Sequence, residues 1–158
     1  MELIPKIFHE VEVNSWEENA CSPSDPGPEW SGILINGPEK VILSNSGSDA
    51  IIPVCGYYQL DLIDIYDADP LRINLKLPGS DDFVIGFIVD NDPSPDEPEP
   101  FDTEVNREDL ADLGTDGYFN PNILDFVNII LIPGRYELFV DFGGHQSNVI
   151  AFEILFNK

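Results

Sequence analysis

Residues 135–142 read Arg135-Tyr136-Glu137-Leu138-Phe139-Val140-Asp141-Phe142, and residues 148–156 read Asn148-Val149-Ile150-Ala151-Phe152-Glu153-Ile154-Leu155-Phe156. In the first run, Tyr136, Leu138, Val140 and Phe142 fall on one side of an extended chain. Arg135, Glu137 and Asp141 fall on the other, with Phe139 as the exception. In the second run, Ile150, Phe152, Ile154 and Phe156 share a side. A period of two marks a strand with one buried face. The intervening Gly143-Gly144-His145-Gln146-Ser147 is turn-forming, so the pair reads as an antiparallel hairpin. Burying these large side chains contributes about 1.5–3 kcal/mol each before ordering entropy is subtracted.

The pattern extends outward. Fourteen prolines and twelve glycines in 158 residues separate short runs rich in Val, Ile, Phe and Tyr, the signature of an all-β chain. Candidate strands span residues 7–13, 32–35, 39–44, 51–58, 71–77, 83–89, 129–131, 135–142 and 148–156. Residues 45–49 and 78–82 are expected to be loops between strands. Helix is confined to short turns at 61–68, 104–113 and 120–126, the last with Asn120 as N-cap and Pro121 as its first residue. Length and apolar content, 42% hydrophobic, suit one domain over residues 1–158.

The charge is lopsided. Thirty acids face seven lysines and arginines, for a net charge of −23. That excludes binding to nucleic acid or anionic membranes through a broad basic surface. Residues 90–116 hold eleven of the acids and one base, Arg107. Within them, residues 92–100 carry four prolines, which forbid helix and central strand and favour an extended stretch of about 28 Å. Residues 90–122 are therefore expected to be an acidic, proline-rich insertion.

The run Leu131-Ile132-Pro133-Gly134-Arg135-Tyr136 resembles the Pro-Gly-x-Tyr opening of a late strand in bacterial immunoglobulin-like β-sandwich domains. Residues 143–154 are similar to the final strand of such domains, and residues 41–54, with Asn45-Ser46-Gly47, to a mid-domain hairpin. The resemblance implies an immunoglobulin-like antiparallel β-sandwich. It is silent on function, because that fold serves many. The Cys–Trp–Cys core arrangement of antibody domains is missing.

Catalytic chemistry finds no foothold. His9 and His145 are the only histidines, and no Gly-x-Ser-x-Gly elbow positions a nucleophile. No glycine-rich phosphate loop is present. Trp16 and Trp30 flank a polar loop and read as core or loop anchors, or as sugar platforms if exposed. Calcium takes six to eight oxygen ligands, and Asp67-Ala68-Asp69 and Asp90-Asn91-Asp92 each offer two acids one residue apart. Residues 89–93 look like a cadherin interdomain linker, though its companion motifs are missing. Residues 112–117 have a turn glycine where a calcium loop wants one, but Gly114 and Ile123 occupy two ligand positions.

The expectation is a non-enzymatic acidic module without an obligate cofactor. It would bind a basic protein, as an immunity protein or inhibitor does, because opposite charge steers association. Asp90, Asp92, Asp96, Glu97, Glu99, Asp102, Glu104, Asp109, Asp112 and Asp116 would form the contact surface. The alternative is a calcium- or carbohydrate-binding β-sandwich, with Asp67, Asp69, Asp90 and Asp92 as metal ligands. Without a basic, apolar N-terminal signal or a membrane-length apolar run, and with Cys21 and Cys55 read as reduced thiols, a cytoplasmic location is expected.

Overall fold

The structure, a computed structural model, describes residues 1–44, 50–89 and 113–157. Among the described residues ten strands form two sheets: β1 Glu2–Ile4, β2 Gly32–Asn36, β3 Lys40–Leu43, β4 Cys55–Asp61, β5 Arg72–Lys76, β6 Phe83–Phe87, β7 Gly114–Phe119, β8 Gly134–Phe142, β9 His145–Gln146 and β10 Ile150–Phe156. The large sheet runs β1-β3-β10-β8-β5-β6, with β9 also paired to β8, and the small sheet runs β2-β4-β7. All pairings are antiparallel except β3 with β10. Among the described residues no helix is long and apolar enough to cross a membrane.

The hairpin expected at the C-terminus is the centre of the large sheet. Tyr136, Leu138, Val140 and Ile154 are fully buried, and Phe152 nearly so. They pack against Ile73 and Leu75 of β5, Val41 and Leu43 of β3, and the inward side of the small sheet. Gly143 and Gly144 both take left-handed backbone, and β9 folds straight back onto β8. Phe142 opposes His145, yet Leu138 opposes Ile150, so one extra residue sits between these pairs on the returning strand. This bulge turns Asn148 out of the ladder. Its side chain accepts from the Ile35 N–H at 2.8 Å and donates to the Ile35 carbonyl at 3.0 Å, completing the free edge of β2 and tying the two sheets together.

Several sequence expectations change. Residues 7–13 are not a strand: a 3-10 helix occupies Lys6–Glu10. Pro5 removes a ladder donor, and the His9 Nε2 accepts the Leu3 N–H at 2.8 Å, folding the chain back. Residues 129–131 make no ladder, and Ile130 is 87% exposed. The strand placed at 51–58 begins at Cys55 and continues to Asp61. Asn122, not Asn120, caps the turn at Ile123–Asp125, accepting from the Leu124 N–H. Residues 114–122, assigned to the insertion, instead supply β7 and the cap of that turn. Cys21 and Cys55 form a disulfide rather than two free thiols. Disulfides persist in oxidising compartments, which weighs against the cytoplasmic location. The loop at 45–49, the proline-rich run at 92–100 and most of the helical turn at 104–113 lie outside the described residues.

Candidate functional site

An acidic cleft opens where β4 passes into the short helix α1, Leu62–Ile65. The chain turns there because Asp69-Pro70 follows closely and proline cannot continue a helix. Asp61, Asp64, Asp67 and Asp69 are thereby held within one loop, all exposed. The β8–β9 turn closes the other side. Gly143 comes so near that a Cβ there would lie 2.8 Å from the Asp64 carbonyl oxygen and 2.7 Å from Ile65, so only glycine fits. His145 Nε2 meets Asp64 Oδ2 at 3.1 Å and pins α1 to the large sheet.

Between them lies a cleft of about 400 Å³ lined by Asp64, Asp67, Asp69, Arg72, Phe87 and Asp141, among others. The Asp141 carboxylate is paired: its Oδ2 accepts from Arg72 Nε at 2.8 Å and from Asn74 Nδ2 at 2.7 Å. Four carboxylates against one guanidinium leave the lining strongly negative. The described neighbours of residues 90–112 are Val89, which lines the pocket beside Trp16, and Leu113, whose carbonyl accepts the Leu62 N–H at 2.8 Å.

Of the residues singled out from sequence, Asp67 and Asp69 do share this cleft. Asp116 does not; it projects from β7 beside Tyr57, with its Oδ2 3.4 Å from the Tyr57 hydroxyl. Asp90, Asp92, Asp96, Glu97, Glu99, Asp102, Glu104, Asp109 and Asp112 lie outside the described residues. Among the described residues no three His, Cys, Asp or Glu side chains converge as a metal site. Asp64, Arg72 and Asp141 complete the cleft and escaped sequence reasoning, since Asp141 and the bracing His145 reach residues 72 and 64 from 69 and 81 positions away.

The tryptophans separate into two roles. Trp30 is half-buried and stacks on Tyr57, whose ring also packs on Tyr118 at 5.0 Å. Gln59 Nε2 donates to the carbonyls of Gly27 and Trp30, so this tryptophan anchors the loop that the disulfide also holds. Burial first, then the Asp116 and Asp25 carboxylates, push the Tyr57 phenol up to about 12. Trp16 is 43% exposed and lines a second pocket, about 470 Å³, with Asn14, Phe126, Asp125 and Asn120. Asn120 donates to the Glu17 carbonyl at 2.6 Å, while its buried Oδ1 has no partner among the described residues.

Fold and site define an all-β, two-sheet protein with an acidic cleft. Comparison with protein-family models, curated proteins and solved structures finds no match.

Proposed function

We propose that this chain is a non-enzymatic, immunoglobulin-like module that captures a basic protein, in the manner of an immunity protein or inhibitor. The observation that carries the reading is the cleft: the fold brings Asp64, Asp67, Asp69 and Asp141 together around the single guanidinium of Arg72. A lysine or arginine side chain entering it would trade hydration for charge-assisted hydrogen bonds, and the surrounding field would steer the encounter. The immunoglobulin-like assignment draws support from Tyr136. Its hydroxyl donates to the Ile132 carbonyl at 2.8 Å and accepts the Ile132 N–H at 3.0 Å, much as the tyrosine corner of such domains bonds back to the upstream backbone. The disulfide differs from the antibody pattern, since Cys21 lies in a loop and not in a facing strand.

The test uses immobilised protein and a panel of small basic proteins at low and raised salt. Asp64→Asn, Asp67→Asn and Asp69→Asn together, or neutralisation of Asp96, Glu97, Glu99, Asp102 and Glu104, should slow association about tenfold or more, as should salt. Association that is indifferent to both variants and to salt sinks the reading.

The Trp16 pocket favours a second reading, a carbohydrate module. An exposed indole supplies a stacking face, and Asn14, Asp125 and Asn120 supply polar groups. A thermal melt separates the readings. A sugar, or calcium compared with EDTA, present at 100 times its Kd stabilises by about 2.7 kcal/mol. In a chain of this length that raises Tm by roughly 5–10 °C. A flat response to sugars and to calcium removes the second reading.

A further inference from the structure

β6 is the last strand of the large sheet, and among the described residues nothing pairs with its outer edge. Its sequence, Phe83-Val84-Ile85-Gly86-Phe87, contains no charge and no proline. Natural sheets usually blunt an edge with one or the other, because unpaired N–H and C=O groups offer a template for another strand. Phe83, Ile85 and Phe87 point away from the core and are 44%, 50% and 42% exposed. Val84 and Gly86 point inward, and Gly86 lies so close to the Phe126 carbonyl that no Cβ would fit.

The outward side of this sheet is also unlike the rest of the molecule. Lys40, Arg72, Lys76 and Arg135 all lie on it, four of the five lysines and arginines described. The acids on the same side are Glu2, Asp81, Glu137, Asp141 and Glu153, which nearly balance them. Arg72 pairs with Asp141, and Lys76 lies 3.7 Å from Glu137. A chain with a net charge of −23 repels its own copies almost everywhere. This side, close to neutral and edged by exposed aromatic and aliphatic groups, is where two copies can approach.

We propose that two copies of this chain pair their β6 strands antiparallel about a two-fold axis through Ile85, joining two large sheets into one. The alternation of the strand is its own mirror: Phe83 of one copy lies beside Phe87 of the second, and Ile85 beside Ile85. A slip by one residue would carry every apolar side chain to the opposite face of the neighbouring strand. Asp81 and Asp82, which precede the strand, would face Val89 and Ile88 of the second copy and not its acids. The contact is isologous and closed, so it stops at a dimer.

Salt gives this contact a signature opposite to that of a basic partner. Screening shortens the range of the repulsion between two acidic bodies from about 10 Å at 0.1 M to about 3 Å at 1 M. Sedimentation velocity of the whole chain over a concentration series, at low and high sodium chloride, tests the proposal. The dimer fraction should rise with concentration and with salt. Ile85→Lys, which sets two ammonium groups against each other on the axis, should remain monomeric throughout. Its thermal melt should match the parent, because the position is half exposed. A parent chain that stays monomeric in every condition overturns the proposal, as does an Ile85→Lys variant that dimerises equally well or a dimer that dissociates as salt rises.

Discussion

Reducing the Cys21–Cys55 disulfide should lower stability by about 4 kcal/mol. The bond closes a loop across 34 positions, and the chain-entropy treatment of a loop that size gives about 3.8 kcal/mol at 25 °C. In a chain of this length the loss lowers Tm by roughly 10 °C. The bond also has a local task. It ties the loop carrying Trp30 to β4, where Trp30 stacks on Tyr57 and Gln59 holds two loop carbonyls. Those contacts survive reduction, as does the bond from Asn36 Nδ2 to the Cys21 carbonyl at 3.0 Å. The native fold should therefore persist in reductant at room temperature and melt earlier. Calorimetry with and without reductant reads the shift, and alkylation of the unreduced, denatured chain reads the pairing. Two thiols that alkylate without prior reduction, or a Tm unmoved by reductant, would falsify this account.

The same bond marks a limit of sequence reasoning. Two cysteines at this spacing carry no signal of their own, and their pairing depends on the loop returning to β4. Where structure is local, the chain was readable: the alternation in β8 and β10 requires one buried face, and the structure buries Tyr136, Leu138, Val140, Phe152 and Ile154 together. Where it depends on a distant partner, it was not. In Gly114-Thr115-Asp116-Gly117-Tyr118-Phe119, two glycines and an aspartate interrupt the strand-forming Thr, Tyr and Phe. This run becomes β7 because β4 supplies a ladder and because the Tyr58 hydroxyl lies where a Cβ at Gly117 would be, at 2.8 Å. The bulge at residues 147–149 was likewise hidden, since the alternation on either side of it continues.

The candidate site divides in the same way. Acid density in residues 90–116 is a property of a continuous segment and could be counted. The cleft needs Asp64 from α1, Asp141 from β8 and Arg72 from β5, and only the register of β5 on β8 sets Arg72 opposite Asp141. Charge thus divides into two surfaces that no count reveals, an acidic end and a near-neutral sheet face, which meet at the Arg72–Asp141 pair. The two predicted salt dependences follow from that division. They run in opposite directions, so one protein preparation can report on both.

Tyr136 carries the other large expected effect, and its two substitutions divide it into parts. The side chain is fully buried, its ring lies parallel to Phe152 with centroids 5.2 Å apart, and its hydroxyl makes both bonds to Ile132. Burial pushes the phenol above its ordinary pKa, partly offset by the backbone bond, so the group stays neutral at physiological pH. Tyr136→Ala removes the ring from the centre of the large sheet and leaves a cavity, which costs about 3–5 kcal/mol for an aromatic. Tyr136→Phe keeps the ring and removes only the hydroxyl. Ile132 is 45% exposed, so water can reach its freed backbone groups, and the cost should be about 0.5–1.5 kcal/mol. Urea unfolding of the three proteins, with unchanged m-values, gives both differences. If the phenylalanine variant loses as much as the alanine variant, the ring is not the anchor. The stability of the central hairpin would then rest on holding residues 129–133 in place, a segment that makes no strand and is otherwise fixed by Ile129 and Leu131 packing on the core.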